Sequence, residues 1–143
     1  MLLLPFTYLP MPADESPLAA LQSAAEAVRH QLRLNAYDEA AVQRLAEFIE
    51  VQRPIIKDEE REGVIKTLGC FLGQCLVQTY GGTWAQNPQG VTGVGLHDVH
   101  FFNPFYRVGE QLAKGSEHSV ATFFASISER LAAGQPARKN WIQ

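Results

Sequence analysis

Apolar residues recur along this sequence with two different periods, and the change between them divides the chain. In DESPLAALQSAAEAVRHQL, residues 14–32, Leu18, Leu21, Ala25, Val28 and Leu32 follow the three- and four-residue spacing of one buried helical stripe. Ser16 is placed to cap this helix. Pro17 stands at the first helical position, where a missing N–H costs nothing. NAYDEAAVQRLAEFIEVQRP predicts a second helix, with Asp38 as cap and Val42, Leu45 and Ile49 on one face beside Phe48. Pro54 ends it, because the residue before a proline avoids helical geometry. KDEEREGVIKTLGCFLGQCLVQTYGG predicts the longest helix. Its apolar face is Val64, Leu68, Phe71, Leu72 and Cys75, widened by Leu76. Gly69 and Gly73 sit inside it, each costing about 1 kcal/mol relative to alanine. That cost predicts another backbone crossing closely there. The Gly81-Gly82 pair stops the helix, with Gly81 in the left-handed cap conformation.

Past Gly82 the period falls to two. TWAQ, VTGVGL and VHFF are short β-rich runs. NPQG (Asn87 to Gly90) has turn composition between the first two, and His97-Asp98 separates the second and third. A three-stranded antiparallel meander is expected. Two helices follow. NPFYRVGEQLAKG has Asn103 as cap, Pro104 at the first position, Phe105, Val108 and Leu112 as stripe, and Gly115 past the end. SEHSVATFFASISERLAAG has Ser116 as cap, with Val120, Phe123, Phe124, Ile127 and Leu131 facing inward and Gly134 as terminator. The tail 135–143 has no periodicity, and Trp141 and Ile142 are placed to dock back. The expected class is α+β, with about five helices around the meander. A length of 143 residues corresponds to one domain.

Residues 1–12, MLLLPFTYLPMP, are apolar but lack a basic start and a small-residue cleavage site, and Pro5 and Pro10 interrupt them. The stretch is far too short to span a membrane. It is expected to be an extended segment docked on the domain; an arm that joins a second copy into a homo-oligomer is the alternative.

Composition narrows the functions. The net charge is −3 with no run of Lys or Arg, which argues against a nucleic-acid partner. Cys70 and Cys75 stand five apart, about 140° apart around a helix, so they neither pair within it nor chelate one ion together. They read as reduced, packed thiols of a cytoplasmic protein.

The densest polar group is in GLHDVHFFNPF, residues 95–105. On a strand Asp98 and His100 share a face, as an orienting carboxylate and a base would, while His97 points away. A zinc site needs three or four ligands, and neither His30 nor His118 lies in a ligand motif. Glu26 and His30 are four apart, not the Glu-x-x-His of di-metal bundles, and read as an exposed pair. Asp58, Glu59, Glu60 and Glu62 are explained by the helix start they occupy. GVTGVGL lacks the Gly-Lys-Ser/Thr ending of a phosphate loop. No catalytic serine or cysteine motif, metal site or cofactor site is expected. In TYGGTW, Trp84 beside a double glycine either anchors the sheet on the long helix or serves as a binding anchor.

LGCFLGQCLVQTYGGTW (residues 68–84) followed by NPFYRVGEQLAKGSEHSVATFF (residues 103–124) resembles a set of small bacterial proteins with a domain of unknown function. Their shared pattern is roughly LGxxLVxxYGGxW, a few short strands, then NPFxxVxxxLxxG. The resemblance covers about the C-terminal 75 residues and implies fold rather than activity. In size and acidity these proteins are similar to cytoplasmic immunity and adaptor proteins. The expected function is therefore a non-enzymatic cytoplasmic protein that binds another protein, such as a toxin it neutralises, with no nucleic-acid or membrane partner. The expected surface is Trp84, His97, Asp98 and His100. The alternative is a small enzyme or ligand-binding protein using Asp98 and His100 near the sheet.

Overall fold

The computed structural model describes residues 17–97 and 100–132. Expectations for segment 1–12, the Ser16 cap, Asp98, Gly134 and the tail 135–143 lie outside the described residues.

Five helices form where the apolar stripes predict them: α1 (Pro17–Gln31), α2 (Glu39–Gln52), α3 (Asp58–Tyr80), α4 (Pro104–Lys114) and α5 (Val120–Ala132). Between α3 and α4 run β1 (Thr83–Gln86), β2 (Thr92–Leu96) and β3 (His100–Phe102). The strands form an antiparallel sheet in the order β1-β2-β3, with Trp84 opposite Val94 and Gly95 opposite Phe101. The class is α+β.

The boundaries follow from local chemistry. The Asp38 carboxylate accepts the Ala41 N–H at 3.0 Å and opens α2. The Glu60 carboxylate accepts the Lys57 N–H at 3.2 Å at the start of α3. Gly81, at φ 78°, closes α3 in the left-handed region where a side chain is strained. The Asn87 carboxamide oxygen accepts the N–H groups of Gln89 and Val91, both at 2.9 Å, which shapes the first hairpin turn. The Asn103 side chain caps α4 by accepting the Tyr106 N–H at 3.0 Å.

One boundary differs from expectation. Ser116 does not cap α5; it begins a separate 3-10 turn, Ser116–His118, and α5 starts at Val120. Ser119 takes an extended conformation (ψ 136°) and interrupts the helix. Its hydroxyl then accepts the Ala121 N–H at 3.0 Å, and the carboxamide oxygen of Gln111 accepts the Val120 N–H at 2.9 Å. The first N–H groups of α5 are thus satisfied from the preceding turn and from α4, as a buried helix start requires.

α3 is the axis of the core. Leu68, Phe71, Leu72 and Leu76 are fully buried, as are Leu45 and Ile49 of α2, Val94 and Leu96 of β2, and Val108 and Phe124 of the last two helices. Val28 of α1 and Leu32 just past its end join this cluster, whereas Ala24 and Ala25 of α1 form a smaller one with Cys70. Leu18, expected in the α1 stripe, is instead 47% exposed. It stands in the first turn, at the rim of a cleft rather than against a neighbour among the described residues.

Candidate functional site

The cleft lies between the first half of α1, the middle of α3 and strand β1, and has a volume of about 700 Å³. It exists because both helices present small residues toward each other. Ala20 and Ala24 of α1 face Gly63, Thr67 and Cys70 of α3, and short side chains leave the gap unfilled. Trp84 forms the wall contributed by the sheet.

The glycines of α3 explain how Trp84 gets there. A Cβ on Gly73 would lie 2.2 Å from the Trp84 indole, and one on Gly69 would lie 2.3 Å from the Phe105 ring. Aromatic side chains therefore occupy the space, where a crossing backbone was expected. Only at Gly69 does backbone also approach, the Cα of Phe105 lying 3.0 Å from that position. Indole against a bare helix backbone gains contact area on both sides, which offsets the low helix propensity of glycine. The indole N–H donates to the Gln74 carboxamide at 3.0 Å, and the ring centroid lies 6.1 Å from that of Phe105. With its orientation set by these contacts, half-buried Trp84 still shows apolar surface to the cleft.

The lining is apolar apart from Lys66, Thr67, Gln86 and Thr92. Lys66 is the one charged residue among the described residues that line it. Cys70 lies in the wall, and burial pushes its thiol up to about 12, with Lys66 pulling weakly the other way. A thiol that far above neutral pH carries almost no thiolate, so Cys70 is neither a nucleophile nor a ready metal ligand. Cys75 is fully buried and shifted upward by the same cause. Both thiols are free.

Of the four surface residues expected from the sequence, the three that are described take different places. Trp84 lines the cleft. His97 occupies the turn after β2 with φ 56°, in the left-handed region that a tight turn demands. His100 is largely buried and stacks on Phe102, with ring centroids 5.9 Å apart and planes 15° apart. Its pKa is lowered by burial first and then by the charges of Arg130 and His97. Asp98, and with it the expected pairing with His100, lies outside the described residues.

Two arginines that the sequence does not single out stand over aromatic rings of β3 and α5. The Arg130 guanidinium lies 5.7 Å from the Phe102 ring centre, and that of Arg107 lies 4.3 Å over Phe123. Their spacing from aromatic residues is long-range, so no local motif signals them. The small residues Ala20, Ala24 and Gly63 are similarly unmarked as cleft formers, although their alignment on two helices is the one signal that was available.

Other polar groupings have structural partners. The carboxylate of Glu26 accepts two bonds from Arg29, both at 2.8 Å, and lies 3.6 Å from His30. Among the described residues, no three His, Cys, Asp or Glu side chains come together where they could hold a metal ion. No described helix is long and apolar enough to cross a membrane. No protein-family model matches the chain, and no curated protein or solved structure matches it.

Proposed function

We propose that this is a non-enzymatic binding protein whose cleft receives an extended apolar segment of another protein. The observation that carries this reading is a cleft of about 700 Å³ with an apolar floor beside an outer strand. A cavity of that volume is typical of binding sites. β1 is the first strand of the sheet, and its other side carries no strand among the described residues. An extended segment along β1 gains main-chain hydrogen bonds while its alternate side chains enter the cleft. Trp84, oriented by Gln74, is the aromatic anchor such a contact favours. The exposed Leu18 and Pro17 extend the apolar surface at the rim. A toxin neutralised by an immunity protein is one partner of this kind, and an adjacent toxin gene, if found, would support that form of the proposal.

Ala20→Trp tests the reading, because the bulky ring fills the cleft from the partly buried side of α1. The expected outcome is a specific protein captured from the native host by the wild-type chain and lost by Ala20→Trp, with unchanged thermal stability. Equal capture by both, or capture of nothing, rejects it. Self-association measured by light scattering that disappears on removal of residues 1–12 transfers the cleft to the chain's own N-terminal segment.

A further inference from the structure

A second cavity, of about 450 Å³, lies between α4 and α5 on residues the cleft does not use. Its chemistry is opposite. Arg107, Lys114 and Arg130 line it together with the hydroxyl residues Ser119, Thr122 and Ser126. Two carboxylates, Glu110 and Glu117, share the lining. Glu110 is already engaged, 3.1 Å from Lys114 and 3.7 Å from His118. The Arg107 side chain makes no ion pair or hydrogen bond among the described residues, and its Nε is buried without a partner. Its guanidinium carbon instead lies over the Phe123 ring, 4.3 Å from the centroid, with the Tyr106 centroid at 5.9 Å. A buried, unsatisfied donor on a charged group costs more than an ordinary lost hydrogen bond, and such groups in native proteins call for an explanation.

We infer that this cavity binds a phosphoryl group, held by Arg107 and Arg130 between α4 and α5. A guanidinium fork matches phosphate oxygens in geometry, and stacking on Phe123 fixes its plane in advance. Ser119 and Thr122 add hydroxyl groups to the same lining, which can donate to phosphate oxygens. An anion between Arg107 and Arg130 relieves their mutual repulsion, which together with burial lowers the pKa of Arg107. The cavity exceeds the size of one phosphate, and the half-exposed Tyr106 ring at its rim leaves room for an apolar body on the phosphate.

The test follows the Arg107 Nε–H resonance of the full chain by NMR during titration with sodium phosphate, phenyl phosphate and sodium acetate, at a fixed ionic strength of about 0.15 M. The expected result is a saturable shift with phosphate, at a Kd of about 1 mM or tighter, and none with acetate. Phenyl phosphate binding about threefold or more tightly assigns the site to a phosphate monoester; equal affinity assigns it to the free ion. Arg107→Gln is expected to abolish binding with the fold intact by circular dichroism, while Lys66→Gln in the cleft leaves it unchanged. Should Arg107→Gln fail to fold, Thr122→Glu places a carboxylate on the exposed lining and is expected to abolish binding instead. A linear, unsaturating drift that acetate reproduces overturns the inference, as does phosphate binding that survives Arg107→Gln or Thr122→Glu.

Discussion

Glu26 is held from two sides, and its titration records that. Arg29 donates two bonds at 2.8 Å, and the Tyr37 hydroxyl donates a third. The Arg29 bonds, and then that of Tyr37, draw the Glu26 pKa from 4.5 down to about 2. Tyr37 links this group to the core: its ring lies 5.3 Å from Phe71, and its carbonyl accepts the Thr79 hydroxyl at 2.9 Å. A depressed carboxylate pKa means that the folded state binds fewer protons than the unfolded state. The stabilisation is therefore complete above about 4.5 and is lost as pH falls toward about 2. The carboxylate is 47% exposed, so solvent screening limits the effect to about 1 kcal/mol. Urea midpoints of wild type and Glu26→Gln at stepped pH measure it. The wild type is expected to lose its advantage over the variant across that window, and parallel curves reject the assignment. Tyr37 acts at the alkaline end. Burial, and then the bond to Glu26, raises its pKa above the ordinary 10, so the folded state keeps a proton that the unfolded chain releases, and stability falls above that pH.

The join between α2, α4 and α5 rests on one buried polar side chain. Gln111 is 1% exposed. Its amide nitrogen donates to the Ala46 carbonyl at 3.1 Å and to Glu50 at 2.8 Å, and its oxygen accepts the Val120 N–H. Nearby, Arg53 of the α2 end donates to the Leu112 carbonyl at 3.3 Å. Replacing Gln111 by leucine keeps the volume but strands the Val120 N–H at a buried helix start. A loss of about 2–3 kcal/mol is expected in guanidinium unfolding, since unsatisfied buried groups cost more than the bonds they replace. A loss below about 0.5 kcal/mol removes Gln111 from this role. The same residue shows where periodicity stops being informative. Val108 and Leu112 announce the buried face of α4, but a glutamine beside them reads as solvent-facing. Ser116 looked like a sufficient cap for α5, and the partners that actually satisfy that helix include a side chain nine residues before Val120.

What repeats locally was legible, and what depends on distant elements was not. The stripes of α2 and α3, the Asp38, Gly81 and Asn103 boundaries and the meander all follow from spacings of a few residues. The cleft does not, because it is made by side chains too small to meet across α1 and α3, and Arg107 and Arg130 share a cavity only after α4 and α5 pack. Trp84 stands out in the sequence beside its double glycine, but its seat on Gly73 emerged only in three dimensions. This uneven filling has a consequence for stability along the chain. The buried residues of α1 are Ala24, Ala25 and Val28, none of them in its first two turns, whereas α3 is buried from Val64 to Leu76 with few interruptions. Local opening follows the density of buried apolar contacts, so the start of α1 should open well before global unfolding. Hydrogen exchange of the native chain checks this. Amides of Leu21 to Ser23 are expected to exchange at least about tenfold faster than those of Phe71 to Leu76, and the gap should narrow when an occupant fills the cleft, because binding stabilises the closed form by mass action. Equal protection of the two segments in the free chain would show that α1 is held as firmly as the core helix, and a cleft ready to take up a partner would then need another source of its adaptability.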